Sequence, residues 1–249
     1  MTRNKIIKPI LLLLIMVFTV IGCANKEEEE ALTKVTGIGL SYSEYFKSVD
    51  AQDERKNVAY YMPLPIDEML NVAPNSIQNT VHPIDPKKLP FEVNEQKAYL
   101  VTSINEKGNL QNQLQFTYLH NNEYEQPEEF FILSVTEVDE NPLDKYDFSK
   151  EQADTVGNEL RKEKLIDDIP IFHQVITTDG ALTYRYYSFD EKEKRLVTVV
   201  TTANELYGYY NDYLYHVGYS TKNNNKKEVQ DKIFQLTRAF IMGDGSLNE

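Results

Sequence analysis

The chain of 249 residues has one cysteine and no tryptophan. A lone cysteine rules out an intramolecular disulfide and any zinc site built on paired thiolates, so the fold must be stable without covalent staples. Histidine is nearly as scarce: His82, His120, His173 and His216 are scattered singly, with no His-Glu-x-x-His and no two at helical spacing, which leaves a catalytic zinc without ligands. Basic residues are outnumbered, with 26 Lys and Arg against 39 Asp and Glu. A field of that sign repels phosphate backbones and anionic lipid surfaces, which disfavours nucleic-acid binding and a polybasic membrane-surface mode. Phosphate-cradling glycine loops, Gly-x-Ser-x-Gly elbows and Ser-x-x-Lys pairs are all missing, so neither nucleotide chemistry nor serine acylation has a motif to stand on, and no cofactor is implied. The sequence names no enzyme. Paired Asp and Glu for glycoside hydrolysis are the one catalytic alternative, since spacing in sequence says nothing of the separation of two carboxylates in space.

What is present begins with an address. Arg3, Lys5 and Lys8 precede an apolar run over residues 10–21, the layout of a secretory signal. A dozen apolar residues are too few to cross a hydrocarbon core, which takes about 20. The run ends in Val20-Ile21-Gly22-Cys23, which resembles the lipobox of bacterial lipoproteins. That resemblance implies removal of residues 1–22, acylation of the Cys23 thiol, and a protein held by lipid on the extracytoplasmic face of the cell membrane. The mature chain would retain 23 of the basic residues and all 39 acidic ones, a formal net charge of −16. Residues 23–32, with four consecutive glutamates from Glu27, read as a solvated acidic tether.

Residues 33–87 form a proline-rich entry segment. Pro63, Pro65, Pro74, Pro83, Pro86 and Pro90 fall within 35 residues, and only the stretch 66–72 leaves room for a turn or two of helix. From residue 88 the pattern changes to strands. Residues 98–104, 113–120 and 130–138 are rich in branched and aromatic residues, and Leu114, Phe116 and Tyr118 alternate with Gln115 and Thr117 in the manner of a half-buried strand. Residues 141–168 are polar and fit a short helix, capped at Ser149, or an irregular loop equally well. Residues 171–177 and 181–189 flank Asp179-Gly180, which predicts a hairpin, and Glu191-Lys192-Glu193-Lys194 turns the chain again into 196–202. Tyr213, Tyr215, Val217 and Tyr219 mark one face of a strand over 213–220. Val229, Ile233, Leu236 and Phe240 then recur at helical spacing over 227–242, after cap candidates Asn223 to Asn225 and before Gly243. These elements predict an α+β domain over residues 88–249: a curved antiparallel sheet of about five to seven strands with a packed C-terminal helix.

Lys88-Leu89-Pro90-Phe91-Glu92-Val93, the Asp179-Gly180 turn and Tyr213-Leu214-Tyr215-His216-Val217 before the last helix resemble the DUF4367-type domains of lipoproteins and anti-sigma-associated proteins of Bacillus and its relatives. Those are similar in outline to the LolA and RseB fold, a curved antiparallel sheet with helices on its concave side. The resemblance would cover residues 88–242 and brings no catalytic residues; the tryptophan such domains often carry before the last strand is absent here.

One local feature stands out. Tyr207, Tyr209, Tyr210, Tyr213, Tyr215 and Tyr219 crowd thirteen residues. Tyrosine carries an apolar ring and a polar tip, so Tyr207, Tyr209 and Tyr210, read as a connection before the strand, are candidates for stacking on a sugar or peptide. The same residues are also good strand formers with a place in the core. The functional expectation is a non-catalytic binding module of the cell envelope, tethered through Cys23, with a protein, lipid or cell-wall ligand.

Overall fold

A computed structural model describes residues 32–39, 41, 56–105, 107–145, 153, 157–179 and 183–243. The signal, Cys23, nearly all of the tether, the Ser149 cap and Gly180 lie outside the described residues. Within them the chain runs β1 (Lys34–Ile38), β2 (Lys56–Tyr61), helices α1 (Ile66–Val72) and α2 (Asn75–Gln78), then β3 (Glu95–Ile104), β4 (Leu110–Asn121) and β5 (Pro127–Glu137). It continues through β6 (Glu159–Ile166), β7 (Ile169–Val175), β8 (Thr183–Asp190), β9 (Arg195–Thr202), β10 (Asn204–Tyr210) and β11 (Tyr213–Ser220) to helix α3 (Lys227–Met242). The described residues from Lys34 onward cluster as one compact unit, which includes the prolines from Pro63 to Pro90.

The strands make a single mixed sheet of 11, in the order β6-β7-β10-β11-β5-β4-β3-β2-β1-β9-β8. This overturns the expected α+β domain with an antiparallel sheet of five to seven strands. The protein is mostly sheet, β1 and β9 pair in parallel, and the sheet takes in residues well before 88. Four strands carry little period-two signal. β6 is Glu-Leu-Arg-Lys-Glu-Lys-Leu-Ile, an edge strand with Lys162 and Lys164 exposed, and β1 and β2 are only five and six residues long. β10 was hidden by its own tyrosines and Gly208.

The central strands are covered on both faces, which is why they read as continuous buried runs. On one face of β4, Leu114, Phe116 and Tyr118 are fully buried; Phe116 meets Phe240 of α3 edge-on at 5.5 Å, and the Tyr118 hydroxyl accepts the Ile84 N–H at 3.1 Å. On the other face, Gln115 and Thr117 were expected in water and are instead fully buried. What covers them is the β8–β9 hairpin, carried back over the sheet by the curl through β3, β2 and β1. The Gln115 side chain accepts the Tyr187 N–H at 2.7 Å and donates to the Tyr187 carbonyl at 2.9 Å, so a side-chain amide stands in for the neighbouring strand that β8 lacks there. Tyr187 in turn donates its hydroxyl to Gln113 at 2.8 Å.

Two apolar clusters fill the curl. Tyr99, Val101, Tyr187 and Leu196 pack with Val35, Val58 and Tyr60, while Leu119, Phe130, Ile132, Tyr184 and Tyr186 pack with Val199 and Ala203. Tyr184 stacks on Phe130 and lies so close to β11 that a Cβ at Gly218 would fall 2.4 Å from its ring. Only glycine fits there.

The Asp179-Gly180 hairpin is a second correction. β7 pairs with β6 and β10, and β8 pairs with β9, so the strands flanking that dipeptide are not neighbours. The β8–β9 turn at Glu191 to Lys194 does form a hairpin, where Asp190 accepts the N–H groups of Lys192 and Glu193, both at 3.0 Å. Two hairpins lie where the sequence predicts none: β6–β7, whose first strand falls in the stretch 141–168 expected as a helix or loop, and β10–β11, joined by Asn211 and Asp212, whose φ of 51° and 67° match the tight turn that suits strand twist.

Helix α3 stands where the apolar stripe places it and stops at Gly243, whose φ of 83° side chains rarely adopt. Its cap position is Lys226, and the Asn224 side chain accepts the Thr221 N–H at 2.8 Å.

Candidate functional site

Tyr207 lies in β10 and is buried, 5% exposed. Its hydroxyl donates to Glu205 at 2.5 Å, its ring stacks on His216 at 4.4 Å, and His216 Nε2 lies 2.6 Å from the same carboxylate oxygen. Tyr209 points to the same side, half-buried against the cluster of Leu143, Leu160, Phe172 and Leu214, and donates its hydroxyl to Asp212 at 2.8 Å. Tyr210, half-buried, sits opposite Tyr213 across the β10–β11 turn. The three tyrosines therefore do not share one surface: alternation along a strand sends Tyr210 to the other face.

Glu205, His216 and Tyr207 are each at most 6% exposed. A carboxylate that accepts from a phenol and an imidazole is a familiar catalytic grouping, but here each group satisfies another and the His216 ring packs edge-on against Tyr184 at 4.9 Å. The grouping ties β10 to β11. A matching network lies on the opposite face, where His173 sits 3.2 Å from Glu163 and 2.9 Å from the Tyr219 hydroxyl, both ring nitrogens engaged. Burial pushes the Tyr184 and Tyr219 hydroxyls well above the ordinary phenol value. Among the described residues no group of three or more His, Cys, Asp or Glu is placed to hold a metal ion.

A ligand has room elsewhere. A groove of about 510 Å³ runs between α3 and the segment 82–88. Its apolar lining is Pro83, Ile84, Leu236 and Ala239, and its polar lining is His82, Asp85, Lys88, Lys232 and Gln235. Two features fix the segment to the helix. The His82 N–H donates to the Phe240 carbonyl at 3.0 Å, and the His82 ring stands 3.4 Å from where a Cβ at Gly243 would be. At the other end, Asp85 accepts the Lys87 N–H at 3.0 Å in a short 3-10 turn over Pro86–Lys88. Lys232, Gln235, Leu236 and Ala239 fall at i, i+3, i+4 and i+7, one stripe of the helix about 10 Å long.

Pro83 and Ile84 form the ridge between this groove and a smaller cavity of about 300 Å³, lined also by Pro65, Ile66, Pro86 and Tyr118. Burial pushes the Tyr118 hydroxyl up to about 12, so it stays a neutral donor across the physiological range. A third, more polar hollow of about 770 Å³ lies between the β6–β7 strands and the start of α3. Its Arg161 is already held, by Glu159 at 2.8 and 2.6 Å and by Gln230 at 2.8 Å.

Nothing in the sequence marked the groove. Pro83 and Pro86 were legible as an extended segment and Leu236 as core, but that they line one cavity depends on where residue 82 meets residue 240. The chain matches no family model, no curated protein and no solved structure.

Proposed function

We propose that this protein is an extracytoplasmic lipoprotein, anchored to the cell membrane through an acylated Cys23, and that its folded part is a non-catalytic module that binds a ligand in the groove beside α3. The observation that carries the reading is the groove itself: its volume lies in the range of small-molecule sites, with an apolar floor and a few convergent polar groups. The buried Glu205–His216–Tyr207 grouping has its polar atoms turned to one another, which suits a scaffold better than a reacting centre. The strong acidic excess supports a partner other than nucleic acid.

Anchoring is tested by metabolic labelling with a fatty-acid probe, which should tag the wild type and leave Cys23→Ser unlabelled; equal labelling of both would refute the anchor. Binding is tested with the mature chain carrying Cys23→Ser, which stays in solution without acyl chains. Because the chain has no tryptophan, Gln235→Trp places a single reporter on the rim of the groove. Titration with prodan, a neutral apolar dye, should give saturable energy transfer at one dye per chain, lost when Ala239→Phe fills the floor. Transfer that never saturates, or that survives Ala239→Phe, counts against the groove.

A further inference from the structure

Across the ridge of Pro83 and Ile84 from the groove, the cavity of about 300 Å³ stands where a strand leaves the sheet. Leu64 is the last residue paired with β3 on that side: its N–H donates to the Ala98 carbonyl at 3.1 Å and its carbonyl accepts the Ala98 N–H at 2.8 Å. Pro65 then turns the chain into α1, which begins at Ile66. In an antiparallel ladder both polar groups of a residue face the same neighbour and the pattern repeats at every second residue, so the Gln96 N–H and C=O face the same side as those of Ala98. Among the described residues no strand pairs with them there. Asn94, the next residue along, is engaged elsewhere, its N–H donating to the Leu119 carbonyl at 2.9 Å. One backbone donor and one acceptor are thus left open at the edge of a cavity that Gln96, Pro65 and Ile66 line.

The shape and charge of this slot select what enters. A residue set opposite Gln96 in the antiparallel sense meets Pro65 where its own preceding residue would belong, so it has to be the first residue of its chain. Its side chain falls on the same face as that of Tyr118, the β4 partner of Gln96, where Ile66, Pro83, Ile84 and Pro86 make an apolar wall. The charged group of the lining is the exposed carboxylate of Asp67 in the first turn of α1, and among the described residues no cation pairs with it. Tyr118 stays neutral, since burial, with the Asp67 charge adding to it, raises its hydroxyl. We infer that this cavity captures the amino-terminal residue of a peptide, its ammonium at Asp67 and the Gln96 carbonyl, its own carbonyl at the Gln96 N–H, and an apolar side chain against the prolines. The reverse orientation brings a carboxylate to Asp67 and is repelled. Capture here does not depend on the groove beside α3.

The test titrates the mature Cys23→Ser chain with Leu-Gly-Gly amide and follows backbone amides by NMR. The Gln96 amide should shift and saturate at one peptide per chain. N-acetyl-Leu-Gly-Gly amide loses the ammonium and carries a group that Pro65 excludes, so it should bind about tenfold more weakly or worse. Gly-Gly-Gly amide should lose about as much, because it has no side chain to bury. Asp67→Asn, at an exposed position, should weaken the leucyl peptide about twofold to fivefold at low salt and less at high salt, whereas Asp85→Asn, across the ridge in the groove, should leave it unchanged. Equal binding of the free and acetylated peptides, tighter binding of acetyl-Gly-Gly-Leu with its free carboxylate, or an affinity unmoved by Asp67→Asn overturns the inference. So does saturation that leaves the Gln96 amide in place, or the lack of saturable binding by any of these peptides.

Discussion

Replacing Gln115 by Met tests the claim that a side chain closes the curl. The two residues are close in length and volume, so packing is nearly conserved. What is lost is the pair of hydrogen bonds to Tyr187, at 2.7 and 2.9 Å, in a place where Gln115 and Tyr187 are both fully buried. The Tyr187 N–H and carbonyl would then lose the bonds that Gln115 makes to them in a buried place. Each such loss costs about 1–3 kcal/mol, so the pair should cost about 2–6 kcal/mol, with local shifts favouring the lower half. For a domain of this size about 3 kcal/mol corresponds to a fall in melting temperature of about 6–12 °C. Urea unfolding of the mature Cys23→Ser chain measures the first quantity and a thermal melt the second. Hydrogen exchange adds a local readout, since the Tyr187 amide should lose protection ahead of the amides of β4. Gln111→Met, which removes a bond to the Glu137 carbonyl from a partly exposed site, is the comparison and should cost less than about 1 kcal/mol. A Gln115→Met cost under about 0.5 kcal/mol would mean that water or a backbone shift satisfies Tyr187, and the closure argument would fall.

Three further outcomes follow from contacts described above. Gly218→Ala forces a Cβ against the fully buried ring of Tyr184 and should destabilise by about 1–3 kcal/mol, whereas Gly208→Ala, one strand away with its nearest neighbour at 3.5 Å, should be neutral or mildly stabilising in the same unfolding assay; equal effects would refute the contact. Tyr207→Ala should cost about 3 kcal/mol or more and Tyr209→Ala no more than about 1 kcal/mol, so that a similar loss for both would contradict the burial of one and not the other. Glu159 is held below the ordinary carboxyl value by its hydrogen bond from Arg161, so its contribution is present above the ordinary glutamate value of about 4.5 and lost as pH falls through the lowered one. Because the side chain is largely exposed, the wild type should exceed Glu159→Gln by less than about 1 kcal/mol at pH 7 and by nothing at low pH; an advantage that persists in acid would place the effect elsewhere.

The parts legible in the sequence are those where local chemistry and final environment agree. β11 and α3 have the predicted limits because the tyrosine alternation and the Val229–Phe240 stripe each match one buried face. Gln115 and Thr117 misled because polar residues alternating with apolar ones signal a wet face, and here that face is dry and satisfied by partners some 70 residues away or on β3. Asp179-Gly180 carries a turn signal, but which strands become neighbours is settled by pairings such as Tyr207 with Phe172 that no local dipeptide encodes. Asn211-Asp212 could have been read: two residues that tolerate positive φ, set between two aromatic runs. The candidate tyrosines were scattered over two faces by strand geometry, and the groove was invisible because its walls come from segments more than 140 residues apart in the chain.

The parallel pairing of β1 with β9 has a consequence for how the protein reaches its native state. Ile38 and Thr198 are bonded across 160 residues of sequence, so the first strand made must wait for one of the last. Loop closure of that length precedes any gain from the contacts it permits, which places the seam late and makes folding slow beside the local β4–β5 and β8–β9 hairpins. During synthesis, β1 can pair with β2, and β2 with β3, but the other edge of β1 stays open until β9 emerges. A chain shortened before residue 195 would retain β3, β4 and β5 yet leave Tyr99, Val101 and the dry side of β4 open, a sticky intermediate and a target for quality-control proteases.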